Sequence, residues 1–242
     1  MRLERKLGFY EKYIKRILDV VCSILAIIVF SWLYIIIAVI VRIKMGSPVL
    51  FKQPRPGIII NGNETIFDMY KFRSMTNERD ENGDLLPDEK RLPKFGAFLR
   101  SSSLDELPEI FCILRGTMSF IGPRPQLVRD MVFMTDQQRM RHTARPGLTG
   151  LAQVMGRNAI TWEEKLEWDL EYIEKVSFLR DIKILLQTVG AVFRRSGITD
   201  GENATALDYG DVLLRDGKIS QARYDELQAY AKDLISEHER KN

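Results

Sequence analysis

Ile24-Leu25-Ala26-Ile27-Ile28-Val29-Phe30-Ser31-Trp32-Leu33-Tyr34-Ile35-Ile36-Ile37-Ala38-Val39-Ile40-Val41 closes an apolar run that opens at Ile17 and carries one charge, Asp19, near its start. A bilayer core needs about 20 such residues, so the run is long enough to be a membrane element. It exceeds the roughly 7–15 apolar residues of a signal peptide. Arg42 and Lys44 follow it with no small-residue cleavage site, which argues for a retained element.

Its flanks bear on the topology. Lys12, Lys15 and Arg16 lie before the run, and Arg42, Lys44, Lys52 and Arg55 lie after it, so the positive-inside rule pulls both ends to the cytoplasm. A re-entrant helix satisfies both ends, and the Ser31 hydroxyl, bonded back to the preceding turn, is the candidate for the bend. No Pro or Gly interrupts the run, so a plain span remains the alternative. Upstream, Leu7, Tyr10, Tyr13, Ile14 and Ile17 recur at helical spacing among basic residues, which predicts an interfacial amphipathic helix over residues 1–16.

The 242 residues suffice for one domain with appendages. Net charge is only +3, but Arg2, Arg5, Lys6, Lys12, Lys15 and Arg16 face only Glu4 and Glu11 before the run. That local excess points to anionic membrane lipid rather than nucleic acid. Cys22 and Cys112 read as buried small hydrophobes, without disulfide or zinc spacing. Two histidines are too few for an imidazole metal site, which leaves oxygen ligands and hence Mg²⁺ or Mn²⁺.

The membrane element is assigned to residues 17–44 and a cytosolic domain to residues 45–199. Within that domain, Asn61-Gly62-Asn63 between Ile58-Ile59-Ile60 and Ile66–Phe72 predicts a β-hairpin, preceded by a short extended piece and a turn at Gln53-Pro54-Arg55-Pro56-Gly57. Helices are expected near Phe95–Arg100, from the Asp105-Glu106 pair to about Leu114, and near Leu127–His142, Trp162–Val176 and Ile182–Phe193. The extension 200–242 carries Tyr224, Leu227, Ala231 and Leu234 as one apolar stripe, suited to docking or self-association and dispensable for chemistry. The fold class is therefore α-rich mixed α/β: a membrane helix, a helical cytosolic domain and one small hairpin.

Ser103-Leu104-Asp105-Glu106-Leu107-Pro108 carries the candidate chemistry. An adjacent acid pair can divide labour, one carboxylate attacking phosphorus while its neighbour holds a metal. The bland alternative is a helix start: Ser103 with Glu106 fits a capping box, or Asp105 is itself the N-cap. Pro123-Arg124-Pro125 holds a guanidinium on stiff backbone suited to a phosphate or a base, or else is a turn with an exposed arginine. Arg145-Pro146-Gly147-Leu148-Thr149-Gly150 and Gly156-Arg157-Asn158 are glycine-bearing loops with arginines, of a kind that approaches phosphates. Lys71 sits on a strand. Asp169 and Asp181 read as caps or salt-bridge partners of an arginine.

Taken in order, Lys15-Arg16-Ile17-Leu18-Asp19, Phe51–Gly57, Tyr70-Lys71-Phe72-Arg73-Ser74-Met75, Arg100–Pro108, Met118–Pro125 and Arg145–Gly150 strongly resemble the bacterial sugar transferase family, the small monotopic phosphoglycosyl transferases. The resemblance implies transfer of a sugar phosphate from a UDP-sugar to undecaprenyl phosphate with release of UMP, at the cytoplasmic face of the bacterial inner membrane. It implies Asp105 as nucleophile and Glu106 as Mg²⁺ ligand. Lys71, Arg100, Arg124 and Arg157 match the family's phosphate- and uridine-handling residues, with Pro123 and Pro125 framing Arg124. Asp169 and Asp181 match its supporting acids, and Arg145 heads one of its loops. Homo-oligomers or glycosyltransferase partners are compatible with that role. Where the family breaks its membrane helix at Ser-Pro, this chain has Ser31-Trp32. The rival reading, from outside the family, is a membrane-anchored scaffold that binds polyanions without catalysis.

Overall fold

The computed structural model describes residues 5–156, 160–193 and 207–241. A turn of π-helix at Tyr10–Ile14 leads into α1 (Lys15–Met45), and the described residues 5–8 before it are not helical. Helix α1 is continuous, as expected of a run without Gly or Pro, and Gly46 at φ 78° ends it. Ser31 Oγ donates to the Ile28 carbonyl at 2.9 Å, the back-bond anticipated for it. The middle of α1 is exposed and apolar, with Ile28, Trp32 and Ile35 turned away from the protein. Cys22 shares that exposure, so it is not the buried residue its composition suggested.

Both ends of α1 are tied to the same domain. Near its start, Arg16 donates to the carbonyls of Ile113 (2.6 Å) and Leu114 (2.7 Å), while Asp19 accepts from Ser119 Oγ (3.0 Å) and the Phe120 amide (3.1 Å). Toward its end, Tyr34 donates to the Leu107 carbonyl at 2.6 Å, and Ile37, Val41 and Met45 form a buried cluster with Phe72 and Leu99.

Strands β1 (Leu50–Ile60) and β2 (Asn63–Phe72) pair antiparallel around Asn61 (φ 53°) and Gly62 (φ 85°), the left-handed pair that a tight hairpin turn requires. The hairpin is longer than its sequence indicated: residues 53–57, read as a turn, belong to β1. Pro54 and Pro56 are tolerated because a two-stranded sheet leaves one side of each strand without partners, and the register shifts between Pro56 and Ile59. Under the hairpin, Phe67 and Met69 pack on Cys112, Ile113 and Met118.

The rest is helical: α2 (Asp88–Arg91), α3 (Lys94–Ser101), α4 (Glu109–Arg115), α5 (Val128–Met131), α6 (Asp136–Arg139), α7 (Leu151–Met155), α8 (Trp162–Glu174), α9 (Phe178–Phe193), α10 (Tyr209–Arg215) and α11 (Gln221–Lys241). The segment 127–142 falls into short helices because a capping box, Thr135 with Gln138, restarts the chain in a new direction. A second sheet was not foreseen: β3 (Ser119–Ile121) pairs parallel with β4 (Gly147–Thr149). Gly122 and Gly147 permit it. A Cβ on Gly147 would lie 2.1 Å from the Gly122 amide nitrogen, and one on Gly122 would lie 2.3 Å from the Arg145 carbonyl oxygen. The glycines of the 145–150 loop thus serve a close backbone approach. Helix α11 docks on the domain, with Ala231 buried against Val128 and Met131 and Tyr224 ring-packed on Phe133 at 5.5 Å.

Candidate active site

Asp105 and Glu106 lie in a single 3-10 turn, Leu104–Glu106, entered through Ser103 at φ 55°. Helix α4 starts only at Glu109, after Pro108, whose missing N–H costs nothing at a helix start. The capping box read from Ser103 and Glu106 is not formed: the Ser103 side chain accepts no capping bond, and Glu106 turns to a lysine and an arginine instead. Asp105 caps nothing either. It precedes the helix instead of opening it.

Three elements converge on this turn. From β2, Lys71 Nζ reaches Glu106 Oε1 at 2.7 Å. From the loop after β3, the Arg124 guanidinium bonds Glu106 Oε1, lies 3.4 Å from Oε2, and donates to the Leu148 carbonyl at 2.9 Å. From the first turn of α4, the fully buried Glu109 sits 3.3 Å from Lys71 Nζ, with neither carboxylate oxygen in hydrogen-bonding geometry. Glu109 was not singled out from sequence, although its place three residues after Glu106 is the spacing that brings helical neighbours onto one face.

The adjacent acids differ in their surroundings. Glu106 carries the contacts, while Asp105, 8% exposed, makes no hydrogen bond or ion pair among the described residues. Burial, reinforced by the Glu106 charge, pushes the Asp105 carboxyl up to about 6 against the pull of Lys71, Arg124 and Arg100. Burial acts on Glu106 in the same direction, but Arg124 and Lys71 overcome it and hold this carboxyl well below the usual carboxylate range. Burial raises Glu109. The site therefore holds one firmly ionised acid locked to two cations, beside one acid free of contacts.

The remaining candidates separate clearly. Arg100 donates to Ser74 Oγ at 2.8 Å, close enough for its charge to act on Asp105 without touching it. Pro123 and Pro125 contribute carbonyls, which accept from the Gly147 amide (3.0 Å) and Arg55 Nη1 (3.1 Å). Arg145 is elsewhere: its Nε donates to the Gly116 carbonyl at 3.1 Å, at the C-terminal end of α4, where a cation also suits the helix dipole. Asp169 pairs with an arginine, Arg141, as its composition indicated, and both are 1% exposed. Asp181 does not. It accepts from Lys15, from the Tyr10 hydroxyl (2.9 Å) and from the Tyr172 hydroxyl (2.8 Å), fastening α9 to the start of α1. Arg157 lies outside the described residues.

The comparisons with known proteins bear on this arrangement. The family model described as bacterial sugar transferase matches residues 10–195. The sugar transferase EpsL of Bacillus subtilis is 45% identical over 193 residues, covering 80% of this chain and 94% of EpsL. The undecaprenyl-phosphate galactose phosphotransferase of Salmonella typhimurium is 34% identical over 77% of this chain but 42% of its own length. The UDP-glucose:undecaprenyl-phosphate glucose-1-phosphate transferase of Xanthomonas campestris is 39% identical over 69% of this chain and 36% of its own. The chain thus spans nearly all of the first relative and less than half of the other two. With a family match running from the turn before the membrane helix to the end of α9, and so enclosing the whole Asp105 site, this chain belongs to the bacterial sugar transferase family.

Proposed function

We propose that this protein transfers a sugar 1-phosphate from a UDP-sugar to undecaprenyl phosphate, releasing UMP, through a covalent intermediate on Asp105. One observation carries the reading: of two adjacent acids, only Glu106 is consumed by Lys71 and Arg124, which leaves the Asp105 oxygens available as a nucleophile. An Asp105 oxygen attacks the sugar-bearing phosphorus, the bond from that phosphorus to the bridging oxygen breaks, and UMP leaves with the electron pair. A phosphate oxygen of the polyprenyl acceptor then attacks the same phosphorus and Asp105 departs as a carboxylate. Lys71, Arg124 and Arg100 supply the fixed positive charge that a diphosphate needs. The Salmonella relative is a phosphotransferase acting on undecaprenyl phosphate and the Xanthomonas relative takes UDP-glucose as well, which supports this substrate class.

Mg²⁺ fits the residues present. Glu106 is a hard oxygen donor with lone pairs beyond those that Lys71 and Arg124 occupy. No group of three metal-type side chains converges among the described residues, so the ion would have to take its other ligands from phosphate and water. When bound, the ion would neutralise charge on the diphosphate.

We place the site at the cytoplasmic face of the inner membrane, on a helix that enters and leaves from one side. The support is that Arg16 and Asp19 near one end of α1 and Tyr34 and Val41 toward the other contact one and the same domain, which a straight crossing of about 30 Å of hydrocarbon would separate. The test is UMP release by the purified protein in nanodiscs containing undecaprenyl phosphate, across a panel of UDP-sugars. A non-catalytic scaffold releases none with any of them.

A further inference from the structure

The Arg124 loop is held in an unusual way. Pro123 and Pro125 have no N–H, so apart from the Arg124 amide the loop's backbone offers only carbonyls as anchors, and all three carbonyls are taken. Pro123 O accepts from the Gly147 amide at 3.0 Å, Arg124 O from Arg141 Nη2 at 2.6 Å, and Pro125 O from Arg55 Nη1 at 3.1 Å. Two of the three donors are guanidinium groups, that of the fully buried Arg141 and that of the half-buried Arg55. Arg141 is itself fixed by Asp169, whose Oδ2 accepts from Nε (2.9 Å) and Nη2 (2.6 Å), and its Nη1 lies 3.3 Å from His142 Nε2.

Stability alone does not account for this pair. Replacing a fully buried ion pair by apolar side chains of similar volume is often neutral or favourable, and Asp169 Oδ1 is left without a partner even in the formed pair. What the pair does achieve is geometric. The backbone it pins belongs to the residue whose guanidinium lies against Glu106.

We propose that Arg141, oriented by Asp169 and seconded by Arg55, is a positioning residue that acts through the Arg124 carbonyl to hold the Arg124 guanidinium in register with the acid pair. Its kinetic consequence rests on the phosphoglycosyl transfer reading above, whereas the clamp itself does not.

Arg141→Lys keeps the charge opposite Asp169 but replaces the fork by one nitrogen, which cannot serve both Asp169 and the Arg124 carbonyl with the same geometry. In full-length protein in nanodiscs, kcat/KM for UMP release from the best UDP-sugar of the panel should fall about 10- to 100-fold, mostly through kcat. The double variant Arg141→Lys/Arg124→Ala should be no slower than Arg124→Ala alone, because the lost residue is the one through which Arg141 acts. Hydrogen exchange should rise in peptides covering residues 119–127 and stay unchanged in α8. Arg55→Lys should give the same pattern more weakly, and it decides the matter if Arg141→Lys does not fold. Unchanged exchange over 119–127, or rate losses that multiply in the double variant, would overturn the proposal. A wild type that releases no UMP would defeat the functional reading, while the exchange data would still judge the clamp.

Discussion

Asp181 and Asp105 are both buried acids near lysines and arginines, yet they are equipped for opposite purposes. Asp181 has Lys15 and two tyrosine hydroxyls on its oxygens and joins α9, α8 and the membrane helix. Asp105 has no such partner among the described residues; its neighbour Glu106 takes the cations instead. Under the proposed function, the difference separates holding from reacting. A carboxylate saturated with donors is spent on structure, and a buried one without donors retains its nucleophilic lone pairs and an elevated pKa.

The comparison breaks most readily at Glu106. Glu106→Gln should lower turnover by about 10²- to 10³-fold while leaving the fold intact, and raised Mg²⁺ should restore part of it, as a titration of initial rate against metal would report. Full turnover of the wild type in excess chelator would remove the metal from the account. Asp181→Ala should do the reverse. Opening a buried, donor-saturated acid costs about 3–5 kcal/mol, to be measured by thermal or chemical unfolding, whereas the rate per folded molecule should fall far less.

Titration sharpens the contrast. As the proposed nucleophile, Asp105 must be ionised to attack, and its carboxyl is raised to about 6, chiefly by burial, so kcat/KM should be full above that pH and fall tenfold per unit below it. An acid limb near 4 would mean that the buried surroundings do not govern the nucleophile. His142 shows the structural counterpart. Burial lowers it to about 4 from 6.5, with Glu64 pulling the other way. Because the unfolded chain takes up this proton first, the stability involved is present above about 6.5 and is lost as pH falls through about 4, in total about 3 kcal/mol. Urea unfolding at pH 7 and pH 4.5, with and without His142→Asn, would measure it. The smallest effect on rate is expected from truncation after Thr199: it removes α10, whose Tyr209 and Leu213 are buried with Phe133, Met134 and Leu166, as well as the α11 contacts with Val128 and Met131, so the melting temperature should fall while UMP release per folded molecule stays within a few-fold.

Much of this was legible in the chain. The apolar run, the hairpin at Asn61-Gly62 and the acid pair depend on local patterns of 2 to 20 residues, and local patterns are what sequence displays. Pairings across the chain were not legible. Asp169 could be read as an arginine's partner, but nothing in the sequence separates Arg141 from Arg145. The parallel β3–β4 pair hides in a Gly147-Leu148-Thr149 stretch that reads as a loop. The capping box failed for a specific reason: Ser103 adopts a left-handed conformation, and Pro108 delays the helix by one turn, which is the displacement that leaves Asp105 uncapped and uncapping. The departure from the local rule falls at the residue proposed as the nucleophile.

The central claim is that Asp105, and not Glu106, becomes covalently phosphorylated. Intact-mass spectrometry of the protein mixed with its UDP-sugar in the absence of undecaprenyl phosphate measures this directly. The account predicts a sugar phosphate adduct on the peptide containing Asp105, discharged on addition of the lipid, and no adduct in Asp105→Asn. An adduct that persists in Asp105→Asn or maps to another residue, or turnover with lipid but no adduct without it, would contradict it.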